Sequence, residues 1–271
     1  MSSERRFELP EPWNKRTPRQ SGRRRPSFSA YVASSAVFFL AVLSPWLACG
    51  IGQPLIVEPV PKPGSFPLVS AGSAPVVYVD EQDWPGVIRA ANDLRRDIAS
   101  VTGTTPKLAH GEAPAGSRVV IIGTIGKSRT VDQLIQEKQI NVASITGQWE
   151  ATLIEVVRQP LPGIESALVI AGSDKRGTIY GIYSLSEQMG VSPWYWWADV
   201  PVRHQNALYV NPGRYVQPSP VVKYRGIFLN DEAPALAGWT KEKFGGFNHR
   251  FYTNLFELLL RCCSSDSRFR A

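Results

Sequence analysis

The sequence is poor in the side chains that hold metals and close disulfides: three cysteines and three histidines among 271 residues. Cys262 and Cys263 are neighbours that normal disulfide geometry cannot join to each other. His110, His204 and His249 are scattered without ligand spacing, so no metal site is expected, and no cofactor either. No Asn-x-Ser/Thr sequon occurs, and residues 26–57 contain no charge at all. The net charge of +7 would suggest nucleic acid, but residues 1–26 hold eight basic residues against three acidic ones. Beyond them the chain is close to neutral, so no basic nucleic-acid-binding face is expected. With 43% hydrophobic residues, a sizeable core forms without disulfides.

The uncharged stretch contains "FSAYVASSAVFFLAVLSPWLACGIG", residues 28–52, apolar over about the ~20 residues that a bilayer-crossing helix needs. Arg23, Arg24 and Arg25 precede it, which by the positive-inside rule leaves a basic cytosolic tail over residues 1–27. Two readings stay open, an uncleaved signal anchor and a cleaved signal peptide, and the length of the tail favours the anchor. Either one places the chain on the secretory route, as a single-pass membrane protein or a secreted one. Residues 53–75 hold six prolines and read as an extended linker.

From residue 76 strands and helices alternate. "VVYVD" (76–80) reads as a strand, and Asp83 with Pro85 as a helix start. Val87, Ile88, Ala91, Leu94, Ile98 and Val101 fall at helical spacing until Gly103. "RVVIIG" (118–123), "WEATLIEVV" (149–157) and "SALVIAG" (166–172) are strand-like, with a helix around 130–138. A further helix points Ile179, Ile182, Leu185 and Met189 inward and stops at Gly190. The pattern predicts an α/β fold over residues 76–218. A connector follows residue 190, with a short strand at 208–210; then residues 223–230 read as a strand. A loop runs to Gly246, and a helix carries Phe251, Leu255, Leu258, Leu259 and Cys262 on one stripe.

Four motifs carry candidate chemistry. "IIGTIGKS" (121–128) is a near miss for a phosphate loop, because Ile121 stands where the first glycine is required; an ordinary strand-to-helix turn is expected. Gly172, Gly177 and Gly181 suit close packing of helix on sheet, with Asp174 as a helix cap. "PWYWWADV" (193–200) concentrates Trp194, Trp196 and Trp197, either as an interface core or as a sugar-stacking platform. "FLNDE" ends the strand at Asn230, Asp231 and Glu232. Acids at the end of a barrel strand are site residues, whereas a cap on the following turn is the other reading. Successive strand residues point to opposite faces, so Asp231 and Glu232 enter one pocket only if the strand has ended.

"KYRGIFLNDEAPALAGWTKEKFGGFN", together with "GSDKRGTIYGIYSLSEQMGVSPWYWWADVPV" and "IIGTIGKS", resembles glycoside hydrolase family 115, the xylan α-1,2-glucuronidases, over roughly residues 75–261. The resemblance implies an N-terminal α/β domain over residues 76–218 followed by the first βα unit of an incomplete TIM barrel over residues 219–261. It implies hydrolysis that removes (4-O-methyl-)glucuronic acid from glucuronoxylan with inversion, and a homodimer in the full-length family. Asn230, Asp231 and Glu232 are the implied substrate-binding residues, with Glu242 in the adjoining loop. A complete barrel takes about 250 residues, and "CCSSDSRFRA" (262–271) departs from the family, so a truncated chain inactive on xylan alone is expected. A membrane-tethered carbohydrate-binding domain using Trp194, Trp196 and Trp197 is the alternative.

Overall fold

The proline-rich stretch expected as a linker carries two short strands. Residues 55–111 and 116–265 are described in the computed structural model. Val57–Glu58 (β1) and Phe66–Val69 (β2) lie antiparallel on opposite edges of Leu208–Val210, with Val57 and Phe66 both opposite Val210. Ile56, Val57, Phe66, Leu68 and Val69 are buried, and the three strands make a small separate sheet. Pro67 sits inside β2, which an edge strand tolerates because no ladder hydrogen bond is needed there. Apolar residues between the prolines therefore override the linker reading.

The main sheet follows the expected alternation. Val76–Val79 (β3) leads into Pro85–Thr102 (α1), which starts with proline in its first turn and ends on left-handed Gly103. Leu108–Ala109 (β4) and Arg118–Thr124 (β5) precede Arg129–Gln136 (α2), then Thr152–Arg158 (β6), Ser166–Gly172 (β7) and Lys175–Gln188 (α3). Leu208–Val210 is β8, and Arg214–Gln217 is β9. The six-stranded order is β4-β3-β5-β7-β6-β9. β3, β4, β5 and β7 run parallel, while β6 is antiparallel to both β7 and β9.

β5 and β7 are near-continuous runs of buried Val, Ile and Ala, the composition of strands covered on both faces. Alternate side chains split into two cores. Val77, Val120, Ile122 and Ile170 join α1, α3 and the small sheet, whereas Val119, Ile121 and Val169 join α2. The positions expected to be buried on α1 and α3 are buried, except that Ile88 is half-exposed.

At the β7–α3 junction the glycines do what the spacing predicts. A Cβ on Gly172 would lie 2.1 Å from the Thr178 nitrogen, and one on Gly177 would lie 2.2 Å from the Ala151 carbonyl oxygen. Asp174 caps α3, its Oδ1 accepting from the Gly177 nitrogen at 2.8 Å.

Residues beyond β9 depart from expectation. No strand forms over residues 223–230, and Tyr224 and Phe228 are 87% and 91% exposed. A strand exists only on a partner's ladder, and this stretch does not add to β9. Two helices follow, Ala235–Phe244 (α4), where a loop was expected, and His249–Ser265 (α5). Phe251, Leu255 and Leu258 of the predicted stripe are buried, with Leu259 and Cys262 half-buried. All these elements belong to one unit, Ile51–Ala271. Residues 28–52 and the basic tail lie outside the described residues; among the described residues no helix is long and apolar enough to cross a membrane.

Candidate functional site

The segment bearing Asn230, Asp231 and Glu232 is fixed to the α/β domain by three sets of contacts. The first is ionic. Arg225 donates from Nη2 to Oε2 of buried Glu150 at 2.8 Å, and Arg176 donates to the other oxygen, Oε1, at 2.9 Å.

The second is an aromatic nest. Trp197 stacks on Trp239 of α4 at 5.4 Å and meets Phe251 of α5 edge-on at 5.9 Å. Trp196 contacts Trp239 and Phe244, each at 5.7 Å. Trp196 and Trp197, both half-buried, thus pack at the interface with α4 and α5, and Trp194, 43% exposed, stands outside the nest.

The third contact is a buried guanidinium. Arg261 of α5 donates Nη1 to Asp97 Oδ2 at 2.8 Å and Nη2 to Asp97 Oδ1 at 3.2 Å, a bidentate pair reaching α1. Its Nε donates to Glu257 at 3.0 Å, and its plane lies over Tyr183 at 4.4 Å and Tyr195 at 5.2 Å. The two side chains of the pair are only 4% and 8% exposed. Burial alone would lower the Arg261 pKa, but the Asp97 charge and its hydrogen bonds outweigh that and raise it. Burial, aided by the Glu257 carboxylate, pushes the Tyr195 phenol up to about 12. Tyr183 is raised too, by burial and then by Asp93, whose Oδ2 accepts its hydroxyl at 2.7 Å.

The candidate site residues themselves are less organised. Asn230, Asp231, Glu232 and Glu242 are all exposed, and Glu242 lies on α4 and not in a loop. Asn230 Oδ1 accepts from the Glu232 nitrogen at 3.3 Å, a local turn contact. Asn230 and Glu232 are brought together in that way alone. An inverting glycosidase holds its general acid and general base about 6.5–9.5 Å apart on either side of the sugar. Two successive exposed acids on one stretch do not enclose a sugar.

A feature not anticipated from the sequence is a groove of about 530 Å³ at the carboxyl ends of β5 and β7, lined in part by Trp84, Lys127, Trp149 and Lys175. Two of the motifs singled out in the sequence border it, and one of them, the near-miss phosphate loop, keeps its backbone donors to itself. Thr124 N donates to Asp83 at 2.7 Å, Ile125 N to Gly172 O at 3.0 Å and Gly126 N to Asp132 at 2.9 Å. The Lys127 and Ser128 nitrogens both donate to Thr124 O, and Ser128 Oγ caps α2 by accepting from Val131 N at 3.3 Å. Every backbone donor of the turn is occupied from within.

Comparison with known proteins bears on the same region. Residues 217–264 match the model of glycosyl hydrolase family 115. A search of curated proteins gives no match. Among solved structures, the chain is similar to a family GH115 4-O-methyl-alpha-glucuronidase, BtGH115A, with specificity for decorated arabinogalactans. The identity is 33% and the TM-score 0.57, over 69% of this chain and 24% of that one. The chain thus spans about a quarter of that enzyme's length, 24%. Its likeness to CpGH84D is 12% identity with a TM-score of 0.31, over 50% of this chain and 19% of that one, too slight to carry an argument.

Proposed function

Since the chain belongs to glycosyl hydrolase family 115, we propose that it serves hydrolysis of glucuronic acid, or its 4-O-methyl ether, from a decorated plant polysaccharide. The observation that carries this is the 33% identity with a 4-O-methyl-alpha-glucuronidase over 69% of the chain. Glucuronoxylan with α-1,2-linked side groups is the proposed substrate, and decorated arabinogalactan is the comparison the test includes. Residues 219–261 are proposed as the first βα unit of a barrel, in which residues 223–230 become a strand once a neighbouring strand supplies the ladder. Exposed Ile227 and Phe228 support that reading, because they are apolar side chains with no core of their own. Asn230, Asp231 and Glu232 then lie at the carboxyl end of that strand and line the sugar site, with Glu242 nearby. Residues 28–52 are proposed as the signal anchor that carries the protein into the secretory route, motivated by their apolar run behind Arg23, Arg24 and Arg25.

The chemistry needs one carboxylic acid to protonate the glycosidic oxygen and a carboxylate opposite to activate water. Among the described residues the candidate acids Asp231 and Glu232 are exposed and successive on one stretch, so the 271-residue chain by itself is expected to release no uronic acid from glucuronoxylan. A chimera tests the rest: residues 75–261 replace the matching region of BtGH115A, and release of 4-O-methylglucuronic acid is followed on glucuronoxylan and arabinogalactan. The chimera is expected to be active, and Asp231→Asn or Glu232→Gln to reduce kcat by about 10² or more. A folded but inert chimera contradicts the proposed function. Release by the isolated chain contradicts that expectation.

A further inference from the structure

We propose that the groove at the carboxyl ends of β5 and β7, whose lining includes neither Asp231 nor Glu232, binds the carboxylate-bearing sugar of an acidic polysaccharide. The fold makes the crevice: α1 and α3 leave their strands toward one face of the sheet and α2 toward the other. Where successive helices part in this way, the loops separate and a crevice opens outside the strand ends. Its volume of about 530 Å³ is that of a small-ligand site.

The lining decides what kind of ligand fits. Trp84, 40% exposed, and half-buried Trp149 offer flat apolar surface, and Tyr224 of the family 115 segment adds a third ring. Aromatic faces suit the apolar faces of sugar rings. Three ammonium groups surround them. Lys127 Nζ lies 4.6 Å and Lys175 Nζ 5.8 Å from the Trp84 ring, and Lys223 Nζ lies 5.8 Å from the Tyr224 ring.

None of these three lysines has a carboxylate within ion-pair reach among the described residues. The acids that line the groove are already engaged. Glu150 takes Arg176 at 2.9 Å and Arg225 at 2.8 Å, and Asp174 accepts from the Gly177 nitrogen at 2.8 Å and the Glu150 nitrogen at 3.0 Å. The groove is therefore a concave positive field walled by rings, which concentrates anions. The turn over residues 124–128 offers a phosphate no free backbone donor, because its five nitrogens are occupied. A carboxylate on a sugar ring needs only the ammonium groups and the aromatic surface.

The choice of glucuronate as that sugar rests on the proposed function; the groove itself does not. The test is calorimetric titration of the whole chain with a glucuronic-acid-substituted xylo-oligosaccharide, the unsubstituted xylo-oligosaccharide of equal length, and inorganic phosphate. The acidic oligosaccharide is expected to bind at least about tenfold more tightly than the neutral one, and to weaken as salt rises from about 0.05 to about 0.5 M. Lys127→Ala with Lys175→Ala, and separately Trp84→Ala, are expected to weaken it by about tenfold with the circular dichroism spectrum unchanged. Lys138→Ala, at an exposed lysine outside the groove, is expected to leave this binding unaltered. Equal affinity for the neutral oligosaccharide, no binding, or phosphate displacing the sugar at comparable concentration would each overturn the assignment. So would an equal loss of binding in Lys138→Ala. An inert chimera with intact acidic-sugar binding would instead defeat only the proposed hydrolysis.

Discussion

Arg261→Ala is expected to lower the unfolding free energy by about 3–5 kcal/mol, the range seen when one partner of a buried ion pair is removed. Removing the guanidinium leaves Asp97 without the Nη1 and Nη2 hydrogen bonds at 2.8 and 3.2 Å, in a place where it is almost out of water. It also strips the cation from between Tyr183 and Tyr195 and frees Glu257. Arg261→Lys keeps the charge but cannot match both carboxylate oxygens, so a smaller loss is expected. Replacing both partners, Arg261→Met with Asp97→Leu, removes both charges of the pair and is expected to recover part of the loss. Urea unfolding midpoints of the four proteins measure this. A change below about 1 kcal/mol for Arg261→Ala, the scale of a surface ion pair, would show that α5 is not docked as described.

Gly177→Ala is expected to be comparably severe, and for steric reasons. The added methyl would stand 2.2 Å from the Ala151 oxygen and 3.0 Å from its carbonyl carbon. Those atoms belong to the backbone at the start of β6, so relief requires helix and sheet to move apart. Overpacking of a tight core costs about 1–3 kcal/mol and sometimes more; contact with rigid backbone places this substitution at the upper end, about 3 kcal/mol. Gly86→Ala is the control, because there the methyl would meet only Ile179 Cδ1 at 3.4 Å. Its effect on the thermal midpoint is expected to be small and of either sign, while Gly177→Ala lowers the midpoint by many degrees. Equal midpoints for the two variants would contradict the close approach of α3 to the start of β6.

Local pattern made some of this fold readable. β3, β5 and β7 announce themselves through short continuous apolar runs and α1 and α3 through apolar residues at helical spacing, and Asp174 and Gly103 mark helix ends by side-chain and backbone chemistry. β1 and β2 do not, because their partner is Val210, well over a hundred residues away, and proline-rich composition hides the buried residues between. Residues 223–230 show the reverse: strand-forming side chains without a neighbouring edge do not make a strand. The aromatic cluster at residues 193–200 left two readings open, and the contacts of Trp197 with Trp239 and Phe251 come from residues far along the chain. Asn230, Asp231 and Glu232 were legible as a motif. Their exposure was not, since burial depends on what packs over them. The lysine-and-tryptophan groove was invisible for the same reason, as its walls come from five separate stretches of chain.

What ties these observations together is that the family 115 segment is an integral part of the α/β domain, held by Glu150, the aromatic nest and Asp97. Amide hydrogen exchange on the whole chain tests that most directly. The amides of α5 from Phe251 to Arg261 are expected to exchange at the slow rate of α1 and α3, opening only when the domain unfolds. Fast exchange throughout α5 while α1 and α3 stay protected would mean that the segment is merely appended, and the docking described here would be refuted.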